Sequence, residues 1–123
     1  MTGDDELVFY SCHVQKYNRY NFQKERIVVV TNAQLLFLSK NSFNYKEHRK
    51  IPLNQIEAIT VCHDPTIFEV IIHVKDSYDE RMSCVTVENK HNLVGVIEAL
   101  LTAHGHSYNY YVAEDTKLKK WVT

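Results

Sequence analysis

The feature that most constrains this chain is a change of period. Up to about residue 87 the apolar residues recur at every second position, in short runs separated by turn-forming residues. From Leu93 they recur at three and four: Leu93, Val96, Ile97, Leu100, Leu101. The first pattern is that of half-buried strands, the second that of one amphipathic helix. A first strand is expected from Leu7 to Lys16, with Val8, Tyr10, Cys12 and Val14 on one side. A second runs from Arg26 to Thr31, and Thr31-Asn32-Ala33 makes the turn, Asn32 tolerating a left-handed backbone. The third covers Leu35 to Ser39 and the fourth His48 to Leu53, where Pro52 suits a strand end. The fifth covers Ile56 to Cys62. The sixth alternates Phe68, Val70, Ile72 and Val74 against Glu69, His73 and Lys75. After an acidic turn at Asp76 to Glu80, a seventh runs from Met82 to Val87.

The helix is expected over about 89–104, with Asn89 as N-cap, Gly105 as stop and His104 at the negative end of the helix dipole. Tyr108 to Val112 has the pattern of one more short strand, and Lys117 to Trp121 that of a final turn or docked tail. Seven antiparallel strands leave an open barrel or two orthogonal sheets, and a lone helix can bury its stripe only by plugging one end. The fold class is therefore mainly β with one α: a seven-stranded antiparallel barrel or orthogonal sandwich capped by a C-terminal helix. The 123 residues suffice for one such domain, with a core over about 7–104 and a C-terminal extension over 105–123. This element order resembles that of the pleckstrin-homology superfold, which does not by itself give a function.

Charge carries the functional signal. Net charge is −1, but residues 13–50 hold Lys16, Arg19, Lys24, Arg26, Lys40, Lys46, Arg49 and Lys50 against Glu25 and Glu47, a local +6. Such a split predicts either one basic surface or solvated charges on scattered loops. Lys24 and Arg26 point to one side of their strand, and a hairpin loop over Tyr17 to Gln23 sets Lys16 opposite Lys24. An inositol phosphate placed among them turns that repulsion into charge-assisted hydrogen bonds. Tyr20 and Phe22, at the loop tip, are candidates for apolar insertion into a membrane, or else fold back on the barrel or lie on a partner.

Lys16, then Lys24-Glu25-Arg26 leading into Ile27-Val28-Val29-Val30, resembles the basic signature of phosphoinositide-binding pleckstrin-homology domains. Three stretches are similar to the tail-homology domain of class I myosins: 16–22, Val30 to Leu38, and Arg49-Lys50-Ile51-Pro52-Leu53-Asn54-Gln55-Ile56. The resemblance covers roughly residues 14 to 104. The helix lacks the tryptophan many pleckstrin-homology domains carry there; the only one is Trp121. The resemblance implies a non-catalytic module that binds phosphoinositides or acidic phospholipids and recruits a protein to a membrane. The eight basic residues above would hold the head group. The alternative is a protein-interaction module on the same fold, within a cytoskeletal or trafficking assembly. A nucleic-acid partner is not expected, because the basic patch is small and the overall charge nearly balanced.

Cys12, Cys62 and Cys84 are odd in number and far apart, as expected of buried reduced thiols. Cys12-His13 and Cys62-His63 point their side chains to opposite strand faces, so no metal site is expected. No nucleophile elbow or phosphate-cradling glycine loop occurs among only three glycines. No enzyme activity and no cofactor are expected. With no long apolar run and no secretory start, the expected location is cytoplasmic, peripheral to a membrane or on the cytoskeleton.

Overall fold

The computed structural model of the chain describes residues 6–20 and 22–114. Trp121 and the final turn or tail expected at Lys117 to Trp121 lie outside the described residues.

The strands are β1 (Val8–Tyr17), β2 (Gln23–Thr31), β3 (Gln34–Lys40), β4 (Tyr45–Pro52), β5 (Ile56–Cys62), β6 (Glu69–Val74), β7 (Glu80–Cys84) and β8 (Asn109–Ala113). The helix α1 (Val87–Ala103) stands between β7 and β8, and one 3-10 turn, Leu53–Gln55, links β4 to β5. The strands hydrogen-bond as one sheet in the order β4-β3-β2-β1-β7-β6-β5-β8. Inward-facing residues from both halves meet in one core: Val14, Val28, Phe37 and Ile51 with Ile59, Val70, Ile72 and Met82. The sheet is thus folded over on itself, as a barrel requires. The three cysteines are buried free thiols.

The alternation that marked the strands is the alternation of burial. On β6, Val70, Ile72 and Val74 enter the main core, while Ile71 is buried on the opposite face with Cys62 and Ala113. The stripe of α1 is buried at Leu93, Val94, Ile97, Leu100 and Leu101. Asn89 Nδ2 donates to the Tyr10 hydroxyl at 2.9 Å, fixing the helix start over the first part of β1. Lys16 lies six residues further along that strand, about 20 Å away at the rise of a β-strand. The helix therefore plugs one end and the basic residues occupy the other.

Four expectations need correcting. The extra strand expected at Tyr108 to Val112 forms at Asn109–Ala113 and joins the sheet, so that it has eight strands and not seven, and it pairs parallel to β5 rather than antiparallel. α1 starts two residues earlier than expected, because Thr86 is its N-cap: Thr86 Oγ1 accepts from the Asn89 N–H at 3.0 Å. Correspondingly β7 ends at Cys84 and not at Val87. Asn32 is not left-handed; among the described residues Asp76, with φ 57°, is the non-glycine residue that is. The β2–β3 turn is closed instead by Thr31, whose Oγ1 accepts from the N–H groups of Ala33 and Gln34, both at 3.1 Å. Gly105 ends the helix with φ 71°, as a left-handed C-terminal glycine should.

Candidate functional site

The strand registers sort the eight basic residues. Lys16 pairs with Lys24 and Val14 with Arg26. Val14 is a core residue, so Lys16, Lys24 and Arg26 lie on the inner face where it opens to solvent. β3 and β4 pair Phe37 with Arg49 and Ser39 with Lys46, which places Arg49 and Lys46 on the same inner face. The register shift between Phe37 and Leu38 leaves His48 as the extra residue of a bulge. His48 Nε2 lies 2.7 Å from Ser39 Oγ, turned toward the inner face. Lys40, paired with Tyr45, and Lys50, paired with Leu36, fall on the outer face. Arg19 stands in the β1–β2 loop with its guanidinium 5.0 Å from the Tyr20 ring centroid. Five of the eight predicted positions thus share the inner face at the open end of the barrel; Lys40 and Lys50 fall on the outer face and Arg19 in a flanking loop.

Around the mouth the cations are close enough to act on one another. The pKa of His48 is held below its ordinary value by partial desolvation first, then by the charges of Arg26, Lys46, Lys16 and Lys24. Two hairpins therefore contribute to a single positive field.

Among the described residues, that field has one internal counter-ion. Glu80, the first residue of β7, is 1% exposed and faces inward, one alternation before Met82. Its Oε2 lies 3.2 Å from Lys16 Nζ and its Oε1 3.4 Å from Arg49 Nη1. Both are ion pairs by distance, yet neither Glu80 Oε2 nor Arg49 Nη1 has a well-directed hydrogen bond. Arg49 is further held by Nη2 donating to Ser77 Oγ at 3.1 Å and by stacking 3.6 Å from the Tyr78 ring centroid. Arg26 Nη1 donates to the Glu25 carbonyl at 2.8 Å, while its buried Nε finds no partner. Among the described residues, Lys24 and Lys46 make no ion pair.

The two loops flanking the mouth are shaped alike. Asn18 Oδ1 accepts from the N–H groups of Tyr20 and Phe22 at 2.9 and 3.0 Å. Asn41 Oδ1 accepts from those of Phe43 and Asn44 at 3.3 and 2.8 Å. The loops hold Tyr20, Phe22 and Phe43 out at 67%, 69% and 93% exposure. The fold-back of Tyr20 and Phe22 considered from the sequence does not occur.

Sequence reasoning missed Glu80, Phe43, Tyr78 and His48. Phe43 was visible as an aromatic residue in the turn Asn41-Ser42-Phe43-Asn44. Glu80 was hidden by its acidic neighbours, and the signal that reveals it is its even spacing with Met82 and Cys84.

Chemically the mouth offers a cluster of cations, with the Ser39–His48 pair at its rim. A chain of hydrogen bonds elsewhere, Asp79 Oδ2 to His73 Nδ1 at 2.9 Å and His73 Nε2 to Thr60 Oγ1 at 2.7 Å, has the outline of a catalytic triad. Thr60 is fully buried, so its hydroxyl meets no substrate and the chain ties β5 to β6. A cavity of about 250 Å3 between α1, β5 and β8, lined by Cys62, Lys90 and His91 among others, includes none of the eight basic positions.

The model of the family described as "Unconventional myosin tail, actin- and lipid-binding" matches residues 1–120. The chain belongs to that family. Human unconventional myosin-Id is 28% identical over 98 residues, 79% of this chain, and the bovine protein matches to the same extent. The chain spans only about a tenth of the length of these relatives, 10% in each case. Among solved structures, the Slm1 pleckstrin-homology domain in complex with inositol 4-phosphate superposes with a TM-score of 0.65 at 9% identity. That match covers 76% of this chain and 95% of that one. The hSac2 domain of the human phosphoinositide phosphatase Sac2 superposes at 0.66 and 12% identity, covering 92% of this chain and 80% of that one. At such identities these likenesses establish the fold, and the tail domain is a pleckstrin-homology-like barrel.

Proposed function

We propose that this tail domain recruits the protein that carries it to membranes rich in phosphoinositides or other acidic phospholipids, without catalysing a reaction. The head group would sit at the open end of the barrel, among Lys16, Lys24, Arg26, Lys46 and Arg49. Arg19, Lys40 and Lys50 would serve the wider field, and Tyr20, Phe22 and Phe43 would enter the interface. The observation that carries this reading is the convergence of cations from both hairpins on one mouth flanked by exposed aromatics. The family's description as lipid-binding supports it. Each basic side chain near an anionic leaflet contributes ~1 kcal/mol, so four or five supply ~4–5 kcal/mol, attachment on the order of a millimolar or somewhat tighter, to which insertion of the aromatics adds.

The test is sedimentation with phosphatidylcholine vesicles carrying a phosphoinositide or phosphatidylserine, at low and physiological salt. Lys24→Ala with Arg26→Ala leaves the Lys16–Glu80–Arg49 cluster intact. This pair should weaken binding by about thirtyfold, the equivalent of ~2 kcal/mol for two charges. Unchanged binding by the folded double variant would refute the site.

A second reading is favoured by a different observation. β8 is an edge strand with Tyr110, Tyr111 and Val112 exposed, a surface on which a protein partner can add a strand. The family description includes actin. Co-sedimentation with actin filaments that is insensitive to Lys24→Ala with Arg26→Ala would place protein binding on a separate surface.

A further inference from the structure

Within the mouth, Glu80 is the residue whose presence runs against the charge of everything around it. A carboxylate is rarely buried unless paired, and this one is paired twice, with cations from two strands that do not neighbour each other. It stands where a head-group oxygen would have to stand to reach Lys16 and Arg49 together. Resting on the head-group reading above, we propose that Glu80 is the specificity-determining residue of this site. It is an internal anion that occupies Lys16 and Arg49 until it takes up a proton, and so makes acidic-lipid binding acid-enhanced.

The geometry makes the pairing replaceable. The contacts of 3.2 and 3.4 Å are longer than a good charge-assisted hydrogen bond, about 2.7–2.9 Å. Glu80 Oε2 and Arg49 Nη1 remain without a directed partner. A phosphate, with more oxygens and free to orient, satisfies both cations better than this carboxylate does. The groups facing Glu80 are Lys16 from β1, Arg49 from β4, and the ring of Tyr78 that stacks on Arg49. Lys24 and Arg26 from β2 and Lys46 and His48 from β4 surround this inner set. The neighbouring Asp79 is turned away, bonded to His73 of β6.

Burial pushes the Glu80 carboxyl above the usual carboxylate range, and the opposing pull of Lys16 and Arg49 is the smaller effect. A phosphate bound beside it adds negative charge and pushes it further up. Binding therefore takes up a proton, and by reciprocity acid strengthens binding. The gain appears as pH falls through the raised value and is complete below it. While ionised, Glu80 cancels part of the field, which penalises a surface of monoanionic phosphodiesters.

The experiment uses the whole chain and vesicles of phosphatidylcholine with phosphatidylglycerol, whose charge stays constant between about pH 7 and about pH 5. Wild-type protein should bind severalfold more tightly at the lower pH. Glu80→Gln should bind about fivefold more tightly at neutral pH, the equivalent of ~1 kcal/mol for one charge. It should also lose most of the pH dependence. Asp76→Asn removes the same charge from the nearby turn without touching Lys16 or Arg49, and should keep the pH dependence; His48→Gln should remove only the smaller part that Glu80→Gln retains. A folded Glu80→Gln with wild-type affinity and wild-type pH profile overturns the inference. If Lys24→Ala with Arg26→Ala loses binding in the same assay, the head-group site itself survives; if that pair binds normally, the site falls as well. Should Glu80→Gln fail to fold, carbon-13 NMR of wild-type Glu80 decides. Inositol hexakisphosphate should raise the carboxyl pKa, and an unmoved titration refutes the proposal.

Discussion

The two ends of the barrel are built from opposite materials. At the closed end, α1 lays Leu93, Ile97 and Leu101 on the core, and the polar groups there are paired: Thr86 with the helix N-terminus, Asn89 with Tyr10, and the buried Lys90 with the carbonyl oxygen of Ile67. At the open end the inner face continues, but its residues are Lys16, Lys24, Arg26, Lys46 and Arg49, answered by one buried carboxylate. Cohesion at the first end comes mainly from apolar area. The second end is an electrostatic arrangement with an excess of positive charge, and its neutrality has to be completed from outside. One strand, β1, runs through both, which is how a single hairpin belongs to the core at Val14 and to the mouth at Lys16.

That contrast can be broken in several places. The largest effect is expected at the closed end. Ile97→Ala removes a fully buried side chain and should cost ~2–5 kcal/mol of stability, read from the denaturant midpoint. Vesicle affinity of the folded fraction should be unchanged; a loss of affinity at full folding would mean that the helix, not the mouth, meets the membrane.

A smaller effect separates the two faces of β4. Lys46→Ala, on the inner face, should weaken acidic-vesicle binding by about fivefold, while Lys50→Ala, on the outer face and 3.9 Å from Glu47, should do less. Equal losses would show a diffuse field without a mouth.

The smallest effect is a titration. His48 should titrate below an ordinary histidine, because partial desolvation and then four nearby cations oppose its charge. Its folded-state pKa is depressed, so its contribution to stability is present above the ordinary histidine value and is lost as pH falls through the lowered one. Proton NMR of the ring follows this directly. Acidic lipid should move the titration back up; a titration blind to lipid would place the anion elsewhere.

Most of the closed end was legible in the sequence. The three-and-four spacing of Leu93 to Leu101 fixes the buried stripe, and Gly105 marks its end, because both depend on local geometry. The helix start was placed late, since Asn89 is itself a good cap and only the competing Thr86 hydroxyl displaces it. The pairing of Lys16 with Lys24 was readable because a hairpin is a local structure with a fixed register. What could not be read locally came from strands distant in sequence. Glu80 looks like turn chemistry until β7 is known to start there, facing Lys16 and Arg49. Parallel pairing of β8 with β5 depends on where α1 returns the chain. The inner and outer assignment of Lys46 and Lys50 turns on the extra residue at His48, which no period reveals.

The most direct test of the account is which end touches lipid. Backbone amide signals would be followed as nanodiscs of acidic phospholipid carrying a paramagnetic head group are added. The account predicts attenuation at residues 18–24, 41–46 and 76–80, with α1 and β8 unaffected. Attenuation along α1 or β8, with the basic mouth untouched, would contradict it.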